Sequence, residues 1–206
     1  MLFLLFYEKI INGSDFYMYN VVKIKEDLKE MLSEERYNHS LRVAEISKEL
    51  AKIYQVDIEK AYLAGLVHDI AKEFSSEQNI YYLNKYKLPK KLLQEEYRNI
   101  LHGIIGASYL KEKYNLDDEI CNAVKIHTIS SPNMTMLDKV LFVADKIEPN
   151  KKFNGIEQER ELAYQNIDDC LILCLENTIV HLIKKGKKFD KTIIETLESL
   201  KKFRHL

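Results

Sequence analysis

The chain has 206 residues, and its 31 basic and 32 acidic side chains give a formal net charge of −1. A protein this close to neutral has no global field that attracts nucleic acid or an anionic membrane, so we expect neither as a partner. The length suffices for one domain with a buried core, and the hydrophobic fraction of 46% is ordinary for a globular protein. With 6 glycines and 3 prolines, the chain also has too few turn residues for a β-rich fold.

The N-terminus and the cysteines bear on the compartment. The apolar run at residues 1–6 is too short to span a bilayer, and it lacks the basic start and the cleavage site of a signal peptide. Cys121, Cys170 and Cys174 are odd in number and show no disulfide framework, which favours a reducing environment. We therefore predict a cytoplasmic protein with an N-terminal extension at residues 1–19 and one domain at residues 20–206.

Helical periodicity runs through almost all of the chain after residue 22. Asp57 and Asp190 are predicted N-caps, while residues 75–78 and 135–138 resemble capping boxes. The predicted helices cover residues 23–32, 40–54, 57–70, 75–86, 99–114, 117–127, 135–149 and 167–184, followed by a last helix with Ile193, Ile194, Leu197 and Leu200 inward. Residues 74–75, 129–133 and 150–157 are predicted to form loops. The pattern indicates a single all-α helical bundle without internal repeats.

Four histidines and two aspartates stand out as candidate metal ligands. In chain order they are His39, His68, Asp69, His102, His127 and Asp145. His68 and Asp69 end an apolar helix, and Asp145 follows the apolar run 140–144, where an unpaired carboxylate is strongly disfavoured. Imidazole and carboxylate together suit Fe, Mn, Co, Ni or Zn, whereas Ca prefers oxygen alone. We therefore predict a metal site between the core helices.

Each of these residues has a simpler explanation when it is taken alone. A lone His39 is more often a surface or capping residue, and an isolated His-Asp pair is commonly a hydrogen-bonded core pair. Taken together, four of the six histidines lie on or beside core helices and coincide with two aspartates that are predicted to be buried. The other two, His181 and His205, are interpreted as incidental. The joint interpretation is therefore favoured.

The order His…His-Asp…Asp resembles the HD-domain superfamily of metal-dependent phosphohydrolases. The added His102 and His127 are similar to its two-metal branch. The local strings look like those of the YqeK-type symmetrical bis(5′-nucleosyl)-tetraphosphatases: RYNHS at residues 36–40, LVHDIAK at 66–72, LHG at 101–103, IHT at 126–128 and ADKIEP at 144–149. Two departures stand out, since Asn150-Lys151 replaces Gly-Arg and Ile129-Ser130 replaces Thr-Gly. The first exchanges a bidentate phosphate contact for a point charge.

The resemblance implies a ligand set and a single HD-type phosphohydrolase domain at residues 20–206. His39, His68, Asp69 and Asp145 would hold one metal, while Asp69, His102 and His127 would hold the second. Asp69 would bridge the two ions. Iron is the implied native metal, and Mn, Co, Ni and Zn remain alternatives.

The resemblance also implies an activity, the symmetrical hydrolysis of diadenosine tetraphosphate, a small dinucleoside polyphosphate, to two ADP. Two cations about 3.5–4 Å apart can share a water and lower its pKa toward ~7, so a metal-bridging hydroxide would attack a phosphorus. Asp69 and Lys72 are the expected catalytic residues. The expected substrate contacts are Arg36, Lys72, Thr128 and Lys151, with Lys152 as a further candidate.

Three alternatives stay open at this point. The chain could hydrolyse another nucleotide, such as a nucleoside 5′-monophosphate, a cyclic dinucleotide or an alarmone. It could be a catalytically inactive nucleotide-binding regulator. It could also be a purely structural helical module, although that leaves Asp145 unexplained. The apolar N-terminus and the long apolar helix at residues 167–183 make a homodimer a further expectation.

Overall fold

The computed structural model of the protein describes residues 19–186 and 191–203. Over these residues the chain forms ten α-helices and no strand, which confirms the all-α prediction. The helices are α1 (Val21–Met31), α2 (Glu34–Tyr54), α3 (Ile58–Val67), α4 (Ser76–Lys85), α5 (Arg98–Tyr114), α6 (Asp118–Ile126), α7 (Met136–Ile147), α8 (Ile156–Gln165), α9 (Ile167–Lys184) and α10 (Thr192–Phe203). Two 3₁₀ turns, Lys90–Leu93 and Glu95–Tyr97, connect α4 to α5.

Three of the predicted helix starts are confirmed by their caps. The Asp57 side chain accepts a hydrogen bond from the Lys60 amide at the start of α3. Ser75 forms a capping box with Gln78, and Thr135 forms one with Asp138 before α7. The predicted cap at Asp190 lies outside the described residues. These local signals fixed the helix starts because each satisfies backbone N–H groups that have no partner within the helix.

Two helices that carry candidate ligands differ from their predicted bounds. Helix α2 starts at Glu34 and not at residue 40, because the Ser33 side chain caps it by accepting from the Arg36 amide. His39 therefore lies inside α2 and not at its start. Helix α3 ends at Val67, three residues early, and the chain continues in tight turns that include a hydrogen bond from the Lys72 amide to the Asp69 carbonyl. His68 and Asp69 therefore lie in the turns that follow α3 and not within the helix.

The predicted loop at residues 150–157 ends two residues early, because a helix that the sequence pattern did not reveal begins at Ile156. Helix α8 buries only Ile156, Glu159 and Ala163, so its apolar stripe is too narrow to stand out. In α10, Ile193 and Leu197 are buried, but Ile194 is 38% exposed, and its predicted inward position is wrong. Neighbouring helix positions point about 100° apart, and α10 is covered on one side only, so Ile193 faces the core while Ile194 lies at the exposed edge.

The core centres on α3, whose residues are nearly all buried. Helix α2 packs along α3, α5 packs along α6, and α7 contacts α2, α3 and α6. Two glycines make close helix contacts possible. A Cβ at Gly65 would lie 2.7 Å from the Ala44 Cα in α2, and a Cβ at Gly103 would lie 2.9 Å from the Val124 carbonyl oxygen in α6. Both pairs of helices therefore approach closer than a side chain at these positions would allow.

Some predictions concern the ends of the chain. Tyr19 packs against the core, but residues 1–18 lie outside the described part, so the division into residues 1–19 and 20–206 stays a prediction. His181 is exposed, and His205 lies outside the described residues. All three cysteines are free and buried. None of the described helices combines the length and the apolar character needed to cross a membrane.

Candidate metal centre

The six predicted ligands meet at one place between five helices. They are His39 in the second turn of α2, His68 and Asp69 after the end of α3, His102 near the start of α5, His127 after α6 and Asp145 in the last turn of α7. The four imidazoles and Asp69 are buried. The convergence that the sequence pattern required is therefore present, although the residues span most of the chain.

The first group of ligand atoms surrounds the Nε2 atom of His39. This atom lies 3.2 Å from the Nε2 atom of His68 and 3.2 Å from the Oδ1 atom of Asp145. The Oδ2 atom of Asp69 lies 3.5 Å from the His68 Nε2 atom and 3.8 Å from the His39 Nε2 atom. His39, His68 and Asp69 are close enough together to hold one metal ion.

The second group of ligand atoms uses the other oxygen of Asp69. The Oδ1 atom lies 3.0 Å from the Nε2 atom of His102 and 3.8 Å from the Nε2 atom of His127. The two Nε2 atoms are themselves 3.2 Å apart. Asp69, His102 and His127 are also close enough together to hold a metal ion. Asp69 thus stands between two groups and offers one oxygen to each, which is the arrangement of a bridging carboxylate.

Hydrogen bonds fix the direction of two of the imidazoles. The Nδ1 atom of His68 lies 2.7 Å from the Gly65 carbonyl oxygen, and the Nδ1 atom of His127 lies 2.6 Å from the Val124 carbonyl oxygen. A carbonyl oxygen can only accept, so each Nδ1 must donate its proton. The Nε2 atoms of both rings therefore face the centre, where each can present a lone pair, as in metal-binding histidines.

The donor set fits cations better than it fits hydrogen bonds within the protein. Burial lowers the pKa of His68 and of His102 to about 4, so both rings are neutral at pH 7 and can act as ligands. Burial alone raises the pKa of Asp69, but His68, His102 and His127 lower it below its ordinary value, so the carboxylate is ionised. Nitrogens bound at right angles about 2.1 Å from a cation lie about 3.0 Å apart, close to the spacing of the paired Nε2 atoms.

Asp145 differs from its predicted environment. Its side chain is 18% exposed, so Asp145 is only partly buried, and the expectation of full burial is wrong. Asp145 is the most exposed of the six candidate ligands, so its carboxylate marks the side of the centre that reaches solvent, which we call the open side. There the Oδ1 atom faces His39, and the Lys151 Nζ atom lies 3.5 Å away. Burial raises the pKa of Asp145, but the hydrogen bond that it accepts from His39 and the charge of Lys151 lower it well below its ordinary value.

Three of the four predicted substrate-binding residues supply cations at the open side. The Arg36 Nη1 atom lies 2.8 Å from the Asp69 Oδ2 atom, and the Lys72 Nζ atom lies 3.4 Å from both ring nitrogens of His102. The side chains of Arg36, Lys72 and Lys151 are 32%, 33% and 38% exposed, so each reaches both the centre and the solvent. Burial lowers the pKa of Lys72.

The fourth predicted substrate contact, Thr128, and the further candidate Lys152 have different surroundings. Thr128 directly follows His127, and its buried Oγ1 atom has no hydrogen-bond partner in the structure. Lys152 is exposed, and it lies one residue beyond the lysine that approaches Asp145. Thr128 therefore has an unpaired hydroxyl beside the centre. Lys152 is connected with the site only by its position in the sequence.

Comparison with known proteins agrees with this geometry. A family model described as HD domain matches residues 36–150, which include all six ligand positions. The chain is 36% identical to the "Bis(5'-nucleosyl)-tetraphosphatase, symmetrical" of Halalkalibacterium halodurans, over 84% of this chain and 92% of that protein. It is 37% identical to the protein of the same description from Staphylococcus aureus, over 84% of this chain and 91% of that protein. The chain belongs to the HD-domain family of symmetrical bis(5′-nucleosyl)-tetraphosphatases.

A solved structure shares the fold of this HD-domain chain. It is the crystal structure of a protein from Clostridium acetobutylicum described as a "predicted HD superfamily hydrolase involved in NAD metabolism". The two are 35% identical and superpose with a TM-score of 0.83, over 90% of this chain and 99% of that chain. The predicted HD-type bundle is therefore confirmed over nearly the whole length of both proteins.

Glu148 borders the centre, and Arg42 and Arg160 hold it there; none of the three was predicted from the sequence. Glu148 is buried, and its Oε2 atom accepts hydrogen bonds from the Arg42 Nε atom at 2.8 Å and the Asn150 amide at 3.1 Å. Arg160 donates to the backbone carbonyls of Ile147, Glu148, Pro149 and Lys151. A signal for Glu148 was available, because it follows Asp145 by three residues and a helix brings such positions to one side. Arg42 and Arg160 had no comparable signal.

Proposed function

We propose that the protein is a metal-dependent hydrolase that cleaves diadenosine tetraphosphate symmetrically into two ADP. The observation that carries this proposal is the position of Asp69, whose Oδ2 atom faces His39 and His68 while its Oδ1 atom faces His102 and His127. A carboxylate in this position suits a pair of ions and not a single one. The names of the relatives at 36–37% identity support the choice of substrate.

The proposed ligands divide into two sets. His39, His68, Asp69 and Asp145 hold one ion, and Asp69, His102 and His127 hold the other. Nitrogen and oxygen donors in this combination favour first-row metals, and we propose iron, with Mn, Co, Ni or Zn as substitutes. When bound, such a pair supplies an acidified water as the nucleophile and neutralises negative charge on the phosphate oxygens.

The residues of the chain itself bind and orient the phosphate groups. Arg36, Lys72 and Lys151 place three cations around the open side, where a tetraphosphate brings several negative charges. We propose that the Lys72 ammonium also stabilises the charge that builds up during cleavage, because its Nζ atom lies 4.0 Å from the Asp69 Oδ1 atom and 3.4 Å from the ring nitrogens of His102, beside the second group of ligand atoms. Thr128 is proposed to donate its hydroxyl to a phosphate oxygen, which requires its buried Oγ1 atom to turn toward the substrate.

A product assay tests the proposed reaction. The metal-loaded protein is incubated with diadenosine tetraphosphate, nucleoside 5′-monophosphates, a cyclic dinucleotide and guanosine tetraphosphate, and the products are separated by chromatography. We expect two ADP per diadenosine tetraphosphate, with ¹⁸O from labelled water in the terminal phosphate of one of them. ATP and AMP in equal amounts would contradict symmetrical cleavage. Binding without turnover under every metal tested would indicate a nucleotide-binding regulator.

The other expectations from the sequence stay predictions. They are the cytoplasmic location, the lack of a nucleic-acid or membrane partner, and the homodimer. Light scattering on the purified full chain measures the molar mass in solution and tests the homodimer directly.

A further inference from the structure

Glu148 faces the metal centre from behind His39. Its side chain is 5% exposed, and its Oε1 atom lies 3.6 Å from the Nδ1 atom of His39. This distance is slightly longer than a hydrogen bond, and a shift of about half an ångström would make it one. On the other side of the same ring, the Nε2 atom points at His68 and Asp145. Glu148 is therefore the group that the distal nitrogen of His39 meets.

His39 needs such a partner if it is to bind a metal through Nε2. In His68 and His127 a backbone carbonyl accepts the Nδ1 proton and leaves Nε2 free to act as a ligand. Metal-bound histidines almost always have an acceptor of this kind, and the acceptor sets the tautomer and the orientation of the ring. For His39 the group in that position is a carboxylate, whose full negative charge also makes the imidazole a stronger electron donor.

The carboxylate of Glu148 is held in place by its own side-chain partners. The Arg42 Nε atom donates to Oε2 at 2.8 Å, and the Asn150 amide donates to the same oxygen at 3.1 Å. Because both donors use Oε2, Oε1 is left to face His39. Arg42 lies one helical turn from His39 on α2, so one helix carries both the imidazole and the guanidinium that holds its partner.

The backbone that carries Glu148 is held as well. Arg160 of α8 donates from Nε to the Ile147 carbonyl at 3.1 Å and from Nη2 to the carbonyls of Glu148, Pro149 and Lys151 at 3.0, 3.1 and 3.1 Å. These carbonyls follow the end of α7, where the helix leaves acceptors without partners. One guanidinium therefore fixes the segment between Asp145 and Lys151.

We infer that Glu148 is a positioning residue for His39, which it orients by accepting the Nδ1 proton, and that Arg42 and Arg160 hold Glu148 for this role. The inference rests on the proposed metal-dependent function. Because His102 and His127 belong to the other ligand group, the effect of Glu148 is confined to one of the two metal positions. A residue that only stabilised the fold would affect both positions.

Metal titration separates these two cases without relying on activity. Co²⁺ is added to the full-length metal-free protein in the presence of a competing chelator, and its visible absorption reports binding to each position. We expect Glu148→Ala to weaken one of two binding phases by about 10–100-fold and to leave the other unchanged. The weakened phase should be the one that His39→Ala removes. Adding Glu148→Ala to His39→Ala should then have no further effect.

Conservative variants and a matched control sharpen the result. Glu148→Gln keeps an oxygen that accepts the Nδ1 proton but loses the charge, so its affinity should lie between those of wild type and Glu148→Ala. Arg42→Gln should weaken the same phase by a smaller factor. Glu159→Gln replaces another buried glutamate, whose Oε1 atom accepts from Asn177, and it should leave both phases unchanged. Long-range ¹H–¹⁵N spectra of the Zn²⁺-loaded protein should show the His39 Nδ1 proton in wild type and Glu148→Gln.

The possible outcomes have distinct meanings. Selective loss of the His39 phase supports the inference. Wild-type affinity at both positions in Glu148→Ala, or equal weakening of both, would overturn it and leave the proposed function intact. A wild-type protein that binds no metal at all would overturn the proposed function and the inference together.

Discussion

Two buried aspartates, Asp27 and Asp69, have nearly the same exposure and opposite surroundings. Their side chains are 8% and 4% exposed. The Oδ1 atom of Asp27 accepts from Lys23 at 2.7 Å, and its Oδ2 atom accepts from Lys113 at 3.0 Å and from the Tyr114 hydroxyl at 2.7 Å. Every close partner of Asp27 is a hydrogen-bond donor, and through Lys113 and Tyr114 the carboxylate links α1 to the C-terminal end of α5.

Asp69 has two comparable neighbours that can donate, the Arg36 guanidinium at 2.8 Å and the Nε2 atom of His102 at 3.0 Å. The Nε2 atoms of His68 and His127 are its other close neighbours, and in the neutral form of these rings each presents a lone pair, because the Nδ1 atom donates to a carbonyl. A buried carboxylate that faces other acceptors is strongly disfavoured unless a cation joins them. The comparison teaches that burial alone does not identify a functional carboxylate. What distinguishes the two sites is whether the neighbours can donate protons.

The strongest test of this comparison removes each carboxylate in turn. Asp69→Ala should lower kcat by more than about 100-fold and remove bound metal, because both ions lose a ligand. Asp27→Ala should leave kcat and metal content unchanged and should lower the free energy of unfolding by about 2–3 kcal/mol. Turnover, metal analysis and urea denaturation on the same preparations measure all three quantities. Retained turnover in Asp69→Ala would contradict the two-metal proposal.

The lysines beside the two aspartates provide the next test. The Lys72 Nζ atom lies 4.0 Å from Asp69, whereas the Lys113 Nζ atom lies 3.0 Å from Asp27. Lys72→Ala should reduce turnover by about 100-fold with metal content unchanged, because its ammonium serves the phosphate. Lys113→Ala should keep full turnover and lose about 1 kcal/mol of stability. Loss of metal in Lys72→Ala would instead assign Lys72 a role in holding Asp69.

The smallest expected effect concerns pH and Asp27. Hydrogen bonds from Lys23, Tyr114 and Lys113 lower the pKa of Asp27 below its ordinary value. A group with a lowered folded pKa adds stability above its unfolded pKa of about 3.9 and loses it as the pH falls below that value. The difference in unfolding free energy between wild type and Asp27→Asn should therefore be constant above about pH 5 and shrink below about pH 4. Buried histidines contribute equally to both proteins and cancel. A difference that does not vary between pH 3 and 7 would show that Asp27 does not titrate as described.

The sequence predicted which six side chains meet better than it predicted the bounds of the helices around them. The ligands could be found because imidazole and carboxylate groups beside apolar helices have few explanations other than a metal. The early start of α2 also had a signal, since Ser33 followed by acidic residues is a typical N-terminus. Helix α8 gave no clear signal, because a helix that covers little core does not need a regular apolar stripe.

The exposure of Asp145 and the role inferred for Glu148 depend on tertiary contacts. Asp145 follows an apolar run, but its orientation depends on which side of α7 is left open. His39 and Glu148 are far apart along the chain, and nothing in the local pattern of either residue indicates that they face each other. Such side-chain pairs follow from how the helices pack, and one sequence alone does not specify that packing.

Gly65 and Gly103, the glycines at the two close helix contacts, set how near the helices that carry the candidate ligands come to each other. Gly65 lets α3 lie against Ala44 of α2, and the helices of this pair carry or precede His39 and His68. Gly103 lets α5 lie against the end of α6, beside His102 and His127. Main-chain contact at these two points therefore sets the distance between the two groups of candidate ligands, although neither glycine is a candidate ligand. A methyl group at either glycine would push the two helices apart and increase the distance between the candidate ligands, while leaving every ligand side chain unchanged.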